Sequence, residues 1–80
     1  MTAEEIQESM RQWLLERTGA TIDPFARYAE LDYLDSLDVL ELVMSSEDRF
    51  GVKFTADDFA NPEFATLAGL ARLISTRTGK

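Results

Sequence analysis

The chain has no cysteine and no histidine. The first absence excludes a disulfide framework, a thiolate nucleophile and a zinc–thiolate site. The second removes the usual imidazole general base, and with it any Ser-His-Asp triad within the chain. A serine that reacts here must be activated by another protein. No apolar run is long enough to span a bilayer, and Met1-Thr2-Ala3-Glu4-Glu5 is acidic where a signal peptide is basic. The expected location is therefore the cytoplasm, with no membrane insertion. Cations are scarce too: 8 Lys and Arg against 15 Asp and Glu leave a formal net charge of −7. That balance argues against a nucleic-acid partner and for cationic partner surfaces. The scarcity is sharpest from Tyr28 to Asp48, with seven carboxylates (Glu30, Asp32, Asp35, Asp38, Glu41, Glu47 and Asp48) and no Lys or Arg.

Strand-period alternation, internal repeats and low-complexity tracts are also missing. What is present has helical period. Thr2-Ala3-Glu4-Glu5 fits a capping box, and Ile6, Met10, Trp13, Leu14 and Arg17 recur at helical spacing before Gly19. This predicts a first helix over Ala3 to Thr18. From Gly19 to Asp35 no clean period persists, and Asp23-Pro24 breaks any helix, so a long connection is expected, pinned by Ile22, Phe25 and Tyr28. A second helix runs from Ser36 to about Phe50, with Gly51 as its left-handed cap and Val52 and Phe54 packing back under it. Thr55-Ala56-Asp57-Asp58 repeats the cap pattern, and Asn61-Pro62 ends that helix after one turn carrying Phe59. Phe64 leads to Thr66, the cap of a last helix with Leu67, Leu70, Ala71 and Ile74 inward and Gly79 past its end. Residues 1–80 thus read as a single all-α domain, a small bundle of three longer helices and one short one.

The second helix carries two apolar lines. At about 100° per residue, Val39, Leu42, Val43, Ser46 and Phe50 share one face, an ordinary core stripe. Leu37, Leu40 and Met44 form a second line about 130° away, flanked by Asp38, Glu41, Glu47 and Asp48. Beside it stands Ser36, after Asp35. Asp and Ser are preferred helix caps, so the pair has a purely structural reading; a helix N-terminus also favours a phosphate ester, because free N–H groups and the positive dipole end face the anion. The apolar line is either partly covered by the long loop or exposed as a docking surface. The carboxylates alone read as a solvated face.

The stretch from Leu34, Asp35-Ser36-Leu37-Asp38-x-x-Glu41-Leu42-Val43-Met44 and then Glu47-Asp48-Arg49-Phe50-Gly51-Val52, resembles the acyl carrier protein family. In helix layout the resemblance extends over nearly the whole chain. It implies an acyl-carrier-protein-like fold in which Ser36 is esterified with 4′-phosphopantetheine from coenzyme A by a phosphopantetheinyl transferase. The thiol of that arm would carry acyl groups as thioesters. Asp35 would help present the serine, and Leu37, Asp38, Leu40, Glu41, Met44, Glu47 and Asp48 would contact partners. No residue would be catalytic and none would bind a metal. Many members have glycine two residues before the aspartate, where this chain has Tyr33.

The segment Asp57-Asp58-Phe59-Ala60-Asn61-Pro62-Glu63-Phe64-Ala65-Thr66-Leu67 resembles freestanding carriers served by acyl- or aminoacyl-adenylating ligases. That likeness takes in D-alanyl as well as discrete polyketide and nonribosomal carriers, and the expectation taken from it is a carrier in polyketide or nonribosomal metabolism with a ligase, acyltransferase or synthase as partner. A monomer is expected. Fatty-acid-synthesis and D-alanyl carriers are the alternatives. Two readings of other classes stand beside it: a helical adaptor that binds through Leu37, Leu40 and Met44 with Ser36 only a cap, and a cation-dependent enzyme using Asp32, Asp35 and Asp38. The last lacks a calcium-loop glycine spacing.

Overall fold

The computed structural model describes residues 2–31 and 34–78, with residues 29 and 36 through their backbone. Four α-helices follow in order: α1 (Ala3–Thr18), α2 (Ser36–Phe50), α3 (Ala56–Ala60) and α4 (Leu67–Thr78). Among the described residues there is no strand, and three helices are long and one short, as the periodicity predicts. Two 3-10 turns, Tyr28–Glu30 and Pro62–Ala65, were not expected; each is one turn long, too short to set up a periodic apolar pattern.

Local chemistry fixes the helix ends. At α1 the Glu5 N–H donates to Thr2 Oγ1 at 3.2 Å and the Thr2 N–H donates to Glu5 Oε1 at 2.8 Å, a reciprocal capping box. Gly19 closes that helix by donating to the Leu15 carbonyl at 2.7 Å. At the end of α2, Gly51 has φ +68°, a left-handed backbone that Cβ-bearing residues adopt only at a cost. Its N–H donates to the Glu47 carbonyl at 3.0 Å. For α4, Thr66 Oγ1 accepts from the Gly69 N–H at 3.0 Å, as expected of a cap. The Ala68 N–H, another amide without an intrahelical acceptor, donates to the Pro24 carbonyl at 2.8 Å.

That last bond ties the long connection to α4, and it corrects one expectation. Phe25 does not pin the loop; it is 73% exposed. The Ala26 N–H donates to the Asp23 carbonyl and the Phe25 N–H to Asp23 Oδ1, a tight turn that faces the ring outward. Anchorage falls instead to the Pro24 carbonyl, to an antiparallel bridge between Arg27 and Thr66, and to buried Ile22 and Tyr28. The Tyr28 hydroxyl is buried with no hydrogen-bond partner among the described residues, a cost of about 1–3 kcal/mol that burial of its ring offsets.

The core lies between α1 and α4. Ile6, Met10 and Leu14 meet Leu67, Leu70, Ala71 and Ile74, all fully buried. α2 closes one side with Leu42, Val43 and Ser46, while Val39 and Phe50 pack at its margin. Ser46 is tolerated there because its Oγ donates to the Leu42 carbonyl at 2.8 Å. Val52 and Phe54 pack under the end of α2, and the Phe54 and Phe64 rings meet edge to face at 5.2 Å. Phe59 is 55% exposed, with one side of its ring on Phe64. The turn before α4 approaches so closely that a Cβ on Gly69 would sit 1.9 Å from the Glu63 carbonyl oxygen. Only glycine fits there.

An ion pair with a buried carboxylate and a partly exposed guanidinium joins the C-terminal elements. Asp58, buried in α3, accepts from the Thr55 N–H at 2.7 Å and is paired with Arg77 of α4. Arg77 also donates to the Lys53 carbonyl at 2.8 Å. The guanidinium first, and the Thr55 amide after it, hold the Asp58 carboxyl below its ordinary range. Gly79, expected beyond α4, lies outside the described residues.

Truncating Leu42 to Ala should destabilise the domain by about 2–5 kcal/mol in a denaturant titration, since it removes fully enclosed volume. Asp58→Asn tests the ion pair by pH. A carboxyl whose folded pKa is depressed adds stability above its ordinary value near 3.8, and that stability is lost as pH falls through the lower folded value. The difference in melting temperature between wild type and Asp58→Asn should thus be full at neutral pH and shrink steadily below about pH 4.

Candidate functional site

The first turn of α2 is built by two acidic residues. Asp35, in extended backbone, is the N-cap, and its Oδ1 accepts from the Asp38 N–H at 2.8 Å. In return Asp38 Oδ2 lies 3.4 Å from the Asp35 N–H. Ser36 is the first residue of the helix. This reciprocal cap fixes where the chain turns into α2, and therefore where Ser36 stands. The amides of the first turn have no carbonyl one turn before them, so they give this end of the helix a positive electrostatic character.

Leu37, Leu40 and Met44 are 57%, 51% and 58% exposed. The long loop does not cover them. They run from the Ser36 end down the face of α2 opposite the core, which settles the two-line reading in favour of one buried stripe and one exposed line. Among the described residues no cavity is enclosed beside them.

The acidic fringe is less free than its sequence suggests. Arg17, in the last turn of α1, sends its Nε to Asp38 Oδ1 at 2.9 Å and its Nη2 to Glu41 Oε2 at 2.6 Å. Its guanidinium also lies 5.5 Å from the Trp13 ring centre, within cation–π range. Arg17 first, then the Asp35 amide, hold the Asp38 carboxyl below the usual carboxylate range. Glu47 accepts from the Phe54 N–H at 2.9 Å, and Asp48 is exposed. The region without a basic residue in sequence thus acquires one in space, and Arg49 turns away from it to donate to Ser9 Oγ on α1.

The expected partner-facing residues are therefore brought together on α2, with Asp38 and Glu41 clasped to α1 and Glu47 joined to the segment after α2. Sequence reasoning missed Arg17, which shares the spacing of the inward residues of α1 but sits at the edge of the core. A cation at the end of an apolar stripe, with no acid three or four residues away on either side, was the available signal. Its partners lie 21 and 24 positions on, beyond any local rule. Asp32 and Tyr33 lie outside the described residues; Asp35 and Asp38 are engaged with each other, and Asp38 also with Arg17.

The arrangement provides no positioned acid–base pair beside Ser36 among the described residues. It presents the start of a helix, a narrow apolar track and carboxylates within reach of a visiting protein. No described helix is long and apolar enough to cross a membrane.

Comparison with solved structures gives no match. The family model for the phosphopantetheine attachment site matches residues 4–74, from the first turn of α1 to the last inward residue of α4. With that match spanning most of the chain, and with the four-helix architecture and the capped serine at the head of α2, the chain belongs to the phosphopantetheine-binding family, the acyl carrier proteins.

Proposed function

We propose that Ser36 is the residue that receives the phosphopantetheine arm, and that the chain shuttles acyl or aminoacyl groups between enzymes of polyketide or nonribosomal metabolism. Proteins of this family bear 4′-phosphopantetheine covalently, act with a phosphopantetheinyl transferase and synthetic enzymes, and are not themselves catalytic in their carrier domains. When attached, the group supplies a terminal thiol that holds acyl groups as thioesters.

The residues present fit such an arm. A single ester bond would hold it, so neither an enclosed cavity nor a set of ligating side chains is needed. The helix end at Ser36 favours a phosphate ester, its outward amides and dipole offsetting part of the anion's charge. The carrying observation is the exposure of Leu37, Leu40 and Met44 immediately beside Ser36 on a helix whose other face is buried. This chain's own work is to hold the serine at a rigid helix end, offer the apolar track to a visiting enzyme and orient the encounter by charge. Asp35 sets the turn, while Asp38, Glu41, Glu47 and Asp48 face the partner's cations. Contacts of this size support brief, exchangeable complexes. The likeness of the Asp57–Leu67 segment to freestanding carriers supports a specialised carrier over the fatty-acid-synthesis form, and D-alanyl carriers share that likeness. A panel of adenylating ligases would separate these.

Two outcomes check the assignment. Intact mass after incubation with coenzyme A and a broad-specificity phosphopantetheinyl transferase should rise by one phosphopantetheine for the unmodified wild type and not at all for Ser36→Ala. Met44→Glu should melt within a few degrees of wild type, because the residue is outside the core. Its modification should be slower by about tenfold in kcat/KM, or 1.4 kcal/mol of lost apolar contact.

A further inference from the structure

Arg17 is not among the residues assigned to the partner surface, yet it holds two of them. Its fork spans Asp38 and Glu41 at 2.9 and 2.6 Å. At about 100° per residue, Glu41 projects about 40° from Leu37 around α2, so one clasped carboxylate borders the exposed apolar line. The three side chains are 32%, 20% and 36% exposed. Each ion can thus be reached by an incoming side chain. A partner cation that approaches the Ser36 end meets oxygens already occupied: Asp38 Oδ1 by Arg17, Asp38 Oδ2 by the Asp35 amide, Glu41 Oε2 by Arg17.

The geometry points to Arg17 as an internal stand-in for a partner's cation: a protein presenting arginine or lysine docks at the Ser36 end by exchanging its own charged group for Arg17 on Asp38 and Glu41. This rests on the assignment of Ser36 as the modified residue. The exchange is feasible because partly exposed ion pairs contribute little net stability and break readily. The released guanidinium keeps a place on α1, against the Trp13 ring that it already overlies. Exchanging one pair for another, rather than adding one, keeps complexes weak enough for a carrier that visits several enzymes in turn. It also gives discrimination, since a neutral or acidic surface cannot replace the fork and meets a site that is already satisfied.

The test is steady-state modification by a broad-specificity phosphopantetheinyl transferase with coenzyme A. Arg17→Gln should lower KM about three- to tenfold with kcat changed less than about twofold, because two exposed pairs no longer compete. Arg11→Gln makes the same change in net charge, and Arg11 is paired, among the described residues, with Glu8 on α1 alone; the KM of that variant should stay within about twofold of wild type, which separates exchange from long-range attraction. On a Glu41→Gln background the Arg17→Gln effect should shrink. Arg17→Lys, which keeps the charge and engages one carboxylate at a time, should fall between wild type and Arg17→Gln and serves if the glutamine variant does not fold. A direct readout is the Arg17 Nε–H resonance of the 15N-labelled chain, which should shift and exchange faster with water when the transferase is added.

An unchanged or raised KM in Arg17→Gln, an equal fall in Arg11→Gln, or an Arg17 resonance unmoved by saturating transferase would each overturn the exchange while leaving the Ser36 assignment standing. A wild-type chain that accepts no phosphopantetheine overturns both.

Discussion

The packing of α1 against α4 is what every other element leans on. Ile6, Met10 and Leu14 on one side and Leu67, Leu70, Ala71 and Ile74 on the other are fully buried, and they give an 80-residue chain a continuous core without a disulfide. The close approach of the Pro62–Ala65 turn to Gly69 and the Pro24–Ala68 hydrogen bond then seat the two connections on the start of α4. α2 joins this pair along one face only. Its contact with α1 is lighter than that of α4, and among the described residues no element covers its outer line of Leu37, Leu40 and Met44.

That geometry matches the chemistry. A residue that another protein must modify has to stand where an enzyme can reach it, yet at a defined angle. On the proposed assignment to Ser36, the backbone meets the second need: the Asp35–Asp38 cap sets where α2 begins, and the core stripe of Leu42, Val43 and Ser46 keeps the helix from rolling. Without histidine or cysteine the chain has neither an imidazole base nor a thiol of its own. It supplies a rigid handle, and the reactive thiol arrives with the prosthetic group.

Charge is organised by the tertiary structure more than by composition. A net charge of −7 describes the far field that a partner meets first. At contact distance, Arg17 partly neutralises the end of α2 nearest Ser36, Arg49 is drawn to Ser9, and Arg77 is committed to the buried Asp58. Steering and docking thus read different charges on the same face. The first depends on the excess of carboxylates, the second on which carboxylates can change partners.

The sequence alone determined the helices and their ends, because caps, glycine stops and 3.6-residue periods act within one or two turns. Ala3–Thr18 and Ser36–Phe50 follow from Thr2, Glu5 and Gly19, and from Asp35 and Gly51. The same periodicity separated the buried line of Leu42 and Val43 from the line of Leu37, Leu40 and Met44, and the Asp-Ser-Leu turn together with Glu-Leu-Val-Met, the Phe-Gly stop and the acidic bias carried the family resemblance. What it did not contain was any relation between distant turns. Arg17 shared the spacing of core residues, Phe25 was apolar like its buried neighbours, and Asp58 read as one more acid in a first turn. Only the folded chain decided that the first clasps α2, the second faces solvent and the third is buried against Arg77. Local steric and hydrogen-bonding rules fix an element, whereas the partner of a charged or bordering side chain is fixed by how the elements pack.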